Sequence, residues 1–184
     1  MGNTESAKKK QETMKASEQR GKPSEGKLLI KTKNILLLHS SNSTQLQVVR
    51  NFRYALTAKT EGSVHVTNFV SIVDRNKIPK NREWLDERNN VVLLCLTAEA
   101  VEQFQNIVLE KEFADQNGQL HSKVFSITFG ESLSSLWPPK GFKRGSTDLR
   151  DFHFGFSDVD KLRPEDFENS PRLNSLIAAI KLTS

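Results

Sequence analysis

The sequence is short of cysteine, of long apolar runs, and of glycine where glycine would do chemistry. Its 184 residues include a single cysteine, Cys95, inside the run Val91-Val92-Leu93-Leu94-Cys95-Leu96. One thiol builds no disulfide framework and argues against a Cys-based metal site. Among such neighbours it reads as a small packing hydrophobe, in a protein of a reducing compartment, cytoplasm or nucleus. No apolar run approaches the ~20 residues that span a bilayer, and no hydrophobic signal segment opens the chain. The stretch Ser40-Ser41-Asn42-Ser43, which follows the first apolar run, has no glycine. That argues against a P-loop or a dinucleotide fingerprint, and no cofactor is expected. His39, His65, His121 and His153 are scattered without ligand spacing, so no metal site is expected either. No G-x-S-x-G elbow surrounds Ser40 or Ser41, and a capping or turn role suits them better than nucleophilic attack.

Charge is only modestly unbalanced, with 27 Lys and Arg against 22 Asp and Glu, a net +5. The basic residues are spread among acids, without an aromatic-bearing basic motif, which argues against nucleic acid as a partner. Apolar residues make up 36% of the chain, a low share, and part of the deficit lies in residues 1–27. There Lys8, Lys9, Lys10, Lys15, Arg20, Lys22 and Lys27 alternate with Glu5, Glu12, Glu18 and Glu25. Such a segment buries too little surface to offset its chain entropy, and a disordered basic tail is expected. Its start, Met1-Gly2-Asn3-Thr4-Glu5-Ser6, fits the N-myristoylation pattern, with Gly2 as acceptor. One acyl chain holds a membrane weakly, and Lys8, Lys9 and Lys10 supply the second, electrostatic signal toward anionic lipid. The expectation is a cytoplasmic protein reversibly peripheral on the membrane.

Residues 28–184 alternate strand-like and helix-like patterns. Asn34–His39 reads as a buried strand. Leu46, Val49, Phe52 and Leu56 then recur at helical spacing across Thr44–Thr60, with Gly62 as a stop. Strands follow at Ser63–Phe69 and Val91–Leu96. A helix from Ala98, capped by Thr97, places Val101, Phe104, Val108 and Leu109 on its stripe. Asn117-Gly118 marks a turn, Lys123–Phe129 a fourth strand and Asp151–Phe156 a fifth. Ser170 caps a last helix with Pro171 at its first position and Leu173, Leu176, Ile177 and Ile180 on its buried stripe. This order predicts one α/β domain, flavodoxin-like, with a five-stranded parallel sheet covered on both faces. Ligands of such sheets lie beyond the carboxyl ends of the strands, which directs attention to His39–Ser43, Asp74–Lys80, Thr97–Glu99 and Gly130–Trp137.

Within that rim His39 reads as a half-buried, satisfied imidazole. The stretch Arg75-Asn76-Lys77-Ile78-Pro79 reads as an exposed charged loop with Ile78 as its apolar tip. Glu110 and Glu112 read as a solvated helix face, with Glu112 able to face a cleft.

These residues carry a resemblance. Lys33–Ser40 is similar to the opening strand of the TIR and SEFIR superfamily of intracellular signalling domains. Arg75-Asn76-Lys77-Ile78-Pro79-Lys80 is similar to the TIR loop pattern R-D-x-x-P-G, with Asn76 in place of Asp and Lys80 in place of Gly. Trp84-Leu85 and then Val91–Leu96 follow the SEFIR arrangement, so the resemblance covers roughly residues 30–182. It implies a signalling adaptor or interaction module making homotypic contacts with TIR or SEFIR domains of receptors or adaptors, through Arg75, Asn76, Lys77, Ile78 and Pro79. Some TIR domains hydrolyse NAD with a glutamate in a W-x-x-x-E stretch. Here Thr97–Phe104 has no tryptophan, and the receptor-type F-W signature is absent. An NAD glycohydrolase or nucleoside-processing hydrolase of this fold is the alternative, with Glu110, Glu112 or Asp74 as its acid.

Overall fold

The computed structural model describes residues 31–143 and 151–184, and the readings of Gly2, Lys8, Lys9, Lys10 and the rest of the tail lie outside them. Lys31–Ser184 is one compact unit. Its sheet has five parallel strands: β1 (Lys33–His39), β2 (Val64–Ser71), β3 (Asn90–Leu96), β4 (Val124–Phe129) and β5 (Asp151–Phe154). Their order is β2-β1-β3-β4-β5, with β1 and β3 in the middle. This is the flavodoxin-like layout, and its topological switch lies between β1 and β3.

Alternation of side chains builds two cores. Ile35, Leu37, Leu93, Cys95, Ile127 and Phe129 face one way, under α1 (Ser43–Lys59) and α5 (Pro171–Leu182). Leu36, Leu38, Val92, Leu94, Leu96 and Val124 face the other way, toward α3 (Val101–Glu110) and Trp137. Every residue of β3 is buried, which explains the unbroken apolar run Val91–Leu96 after Asn90. Cys95 is one of them; burial pushes its thiol pKa up, in keeping with a packing role.

Local chemistry fixes the helix ends. Asn42 caps α1, its side chain accepting from Thr44 N at 3.0 Å, and Ser170 caps α5 ahead of Pro171. The cap of α1 is thus the asparagine of the Ser-Ser-Asn-Ser stretch, not a serine. α3 is preceded by a 3-10 turn at Ala98–Ala100, and Thr97 makes no side-chain capping bond. Leu109, expected on the buried stripe, is 56% exposed, and Ile107 takes the core position instead. Gly118, at φ +77, lies so close to Gly141 that a Cβ would collide with the Gly141 carbonyl.

The connection from β2 to β3 contains a 3-10 turn and a single one-turn α-helix, α2 (Asn81–Trp84). Between β5 and α5 lies a further short helix, α4 (Pro164–Glu168). At the amino edge of the sheet two lysines are buried. Lys123 Nζ donates to Leu85 O at 2.8 Å. Lys33 Nζ donates to Thr183 O, and to Thr183 Oγ1 at 3.1 Å. No helix among the described residues is long and apolar enough to cross a membrane.

Candidate functional site

The Asp74–Pro79 connection is shaped by backbone bonds. Asp74 N donates to Ser71 O and Lys77 N to Asp74 O, each at 2.9 Å, winding one 3-10 turn over Arg75–Lys77. Pro79 then blocks continuation into an α-helix. Arg75, Asn76 and Lys77 are exposed, as expected. Ile78 is not: it is 2% exposed, in the apolar layer with Leu85 and Phe104. The reading of Ile78 as an apolar tip is corrected. The single turn of α2 covers little of the sheet, and Ile78 and Leu85 supply the apolar cover that a longer helix would give.

The same turn is tied to α3. Arg75 Nη1 lies 3.3 Å from Glu110 Oε2, and Lys111 Nζ lies 3.5 Å from Glu110 Oε1. Asp74 pairs with Lys77 at 3.6 Å. The result is an exposed strip of alternating charge, held from beneath by Ile78.

α3 returns from the carboxyl end of β3 and carries Glu110 and Glu112 toward the start of β4. Glu110 is thereby tied to Arg75 of the Asp74–Pro79 connection, and Glu112 lies two residues beyond the helix end. Glu112 borders a surface cavity of about 310 Å³ with Asn81, Asp115 and His121. It also holds φ +61, a left-handed conformation just beyond the helix end. Glycine adopts that conformation without steric cost. Glu112→Gly is expected to raise stability by about 1 kcal/mol, a melting-temperature gain of about 2–4 °C in thermal denaturation.

At the rim itself His39 is buried, and its ring stacks on Phe69 at 4.4 Å with Nδ1 2.7 Å from Ser40 O. Nδ1–H donates to that carbonyl. Arg53 lies 5.2 Å from the other ring, Phe69. Burial lowers the His39 pKa; the Ser40 hydrogen bond opposes this, Arg50 adds to it and Asp74 opposes it weakly. Below the ordinary value near 6.5 the unfolded chain takes up a proton that the folded state resists. Stability is therefore lost as pH falls through 6.5 toward the folded-state pKa. His39→Phe is expected to lose less stability than the parent between about pH 7 and pH 5, measured by urea midpoints at each pH. Ser40 is also buried, and its Oγ has no hydrogen-bond partner among the described residues.

A second cavity is lined in part by the Gly130–Trp137 stretch that the sequence placed at the rim, and in part by strand residues it did not single out. It has a volume of about 180 Å³ and lies against the α3-side face of β4 and β5. Ser126 pairs with Asp151 and Thr128 with His153 in the strand register. The side chains pair as well: Ser126 Oγ donates to Asp151 Oδ1, and Thr128 Oγ1 lies 2.9 Å from His153 Nδ1. The readable signal was the alternation Val124, Ser126, Thr128 along a strand otherwise apolar, a pattern that becomes informative once the neighbouring strand is known.

The fold and these surfaces define an α/β protein of flavodoxin-like strand order with a charged strip beside α3 and a cavity over its last two strands. Comparison with protein-family models, with curated proteins and with solved structures finds no match to this chain.

Proposed function

We propose that this chain is a membrane-tethered cytosolic signalling adaptor whose α/β domain makes homotypic contacts with TIR- or SEFIR-type domains. The observation that carries the reading is the Arg75–Lys77 turn. It presents charge from a backbone fixed by a buried Ile78 and by an ion pair to Glu110. A rigid, exposed, charged element on a sheet scaffold suits recognition of another folded domain. Arg75, Asn76 and Lys77 make the contact, with Pro79 setting the backbone; Ile78 supports them from the core. In this reading Gly2 carries myristate and Lys8, Lys9 and Lys10 touch anionic headgroups. Tethering raises the local concentration of the domain beside membrane-bound receptors, which favours weak homotypic binding.

The test uses the full-length chain in cells. Arg75→Glu with Lys77→Glu is expected to reduce co-precipitation of TIR or SEFIR domains at least about tenfold, with the melting temperature lowered by no more than about 4 °C through the lost exposed ion pairs. Gly2→Ala is expected to move the protein from the membrane to the soluble fraction. Undiminished co-precipitation sinks the contact assignment, and unchanged partitioning sinks the anchor.

A further inference from the structure

The hairpin that joins α3 to β4 carries a reactive pair at its tip. His121 N donates to Phe113 O at 2.9 Å and Asp115 N to Gln119 O at 2.8 Å, with Ala114 and Leu120 bridged antiparallel between them. Asn117-Gly118, the turn marked in the sequence, is the chain's sole Asn-Gly pair. Asp115 closes this turn with three bonds. Its Oδ1 accepts from Asn117 N at 2.8 Å and from Gln119 N at 2.9 Å, and its main-chain O accepts from Gly118 N at 3.0 Å. The turn is also a platform. Lys143 N donates to Gly118 O at 2.8 Å, Gln119 and Lys143 form a parallel bridge, and Gly118 lies against the Gly141 carbonyl with no room for a Cβ. Between Gly141 and Lys143, Phe142 stacks on the buried Trp137 with ring centroids 6.2 Å apart. One turn therefore fastens residues 139–143 to the domain.

Asparagine followed by glycine is open to a reaction of its own. The glycine nitrogen has no neighbouring side chain to shield it. Loss of its proton lets Gly118 N attack Asn117 Cγ. A C–N bond forms, the Cγ–Nδ2 bond breaks, and Nδ2 leaves as ammonia with that proton. The five-membered succinimide then takes up water. Opening at the side-chain carbonyl gives aspartate. Opening at the main-chain carbonyl gives isoaspartate, with the chain routed through Cβ and Cγ. Nothing is oxidised or reduced, and water is the co-reactant, to which Asn117 is exposed. The closed turn opposes the first step, because a deprotonated Gly118 N would face the Asp115 carbonyl oxygen without a proton between them. Isoaspartate in turn adds one methylene to the main chain. The three Asp115 bonds to successive amides no longer fit, and Gly118 O moves away from Lys143 N. We propose that Asn117 is a site of spontaneous deamidation, that the Asp115 clasp sets its rate, and that isoaspartate at this position releases residues 139–143. The site is separate from the Arg75–Lys77 strip and does not depend on it.

The test ages the full-length protein in mildly alkaline buffer, folded and in urea, and maps position 117 by mass spectrometry with electron-transfer fragmentation, which separates isoaspartate from aspartate. Modification is expected at least about tenfold more slowly in the folded protein, where the turn must first open. Asp115→Ala is expected to speed it about tenfold in the folded state, whereas Asp115→Asn, which keeps an acceptor oxygen, is expected to stay within about threefold of the parent. Release is read from hydrogen exchange at the Lys143 amide. Its protection is expected to fall at least about tenfold in the aged parent and to hold in aged Asn117→Gln, whose longer side chain closes the ring far less readily. Equal rates in folded and unfolded protein, or an unchanged rate in Asp115→Ala, overturn the clasp. No modification in the unfolded chain overturns the site. Isoaspartate with Lys143 protection retained overturns the release.

Discussion

Phe167→Ala is expected to cost about 3–5 kcal/mol of folding stability, a large share of the ~5–15 kcal/mol typical of a domain. Its side chain is fully buried, and its ring lies 5.8 Å from Phe52, 5.6 Å from Phe129, 5.6 Å from Phe154 and 5.2 Å from Phe156. All four contacts are edge-on, the geometry that aromatic quadrupoles favour. Phe167 belongs to α4, whose five residues are too few to hold a helix alone. The ring is therefore both core filler and anchor. Removing it opens a cavity beneath α1 and takes away what fastens α4 to the sheet. A further tie nearby is Asn51 Nδ2 donating to Leu162 O at 2.7 Å. Urea unfolding checks the loss, and Phe167→Leu, which keeps most of the volume, should recover much of it. A drop below about 1 kcal/mol would mean that the aromatic cluster collapses to fill the space.

The second large effect is expected at Ile78. Ile78→Ala should cost about 2–5 kcal/mol, because the side chain is 2% exposed within the layer that covers β1 and β3. Had the residue been the exposed tip that its sequence context suggests, the change would fall within about 0.5 kcal/mol. The same denaturation curve therefore decides between core and tip. A second readout follows from position. Arg75 and Lys77 ride on the backbone that Ile78 fastens, so the variant should also weaken partner binding at temperatures where the domain remains folded. Loss of stability with undiminished binding would separate the turn from its support.

The fold was legible because its signals were redundant. The unbroken apolar run at Val91–Leu96, the helical recurrence of Val49, Phe52 and Leu56, and the Ser170-Pro171 start of α5 each rest on local chemistry that the tertiary structure did not override. Positions governed by long-range packing were less readable. Ile78 stands among Arg75, Asn76, Lys77 and Pro79, a context that reads as surface, and is pulled inward by the sheet face that α2 leaves uncovered. Ile107 and Leu109 flank the Val101, Phe104 and Val108 stripe on opposite sides of α3, at about 100° per residue, and which flank is buried is set by packing on the sheet rather than by periodicity. The strand side of the β4–β5 cavity was hidden for a different reason, although Gly130–Trp137 on its other side was read as rim. Ser126 and Thr128 look like ordinary strand residues until Asp151 and His153 are brought beside them by register.

The Lys33 contact with Thr183 spans 150 positions of the chain. It has a consequence for synthesis from the ribosome. β1 emerges first, and the carbonyl that receives its buried ammonium is made 150 residues later. Until then a charge must stay hydrated at the foot of a central strand, and that strand cannot settle fully between β2 and β3. The nascent domain is expected to stay open at its middle until Thr183 arrives. During that interval the Leu-rich strands are exposed to other chains, and a holdase chaperone would find its substrate there.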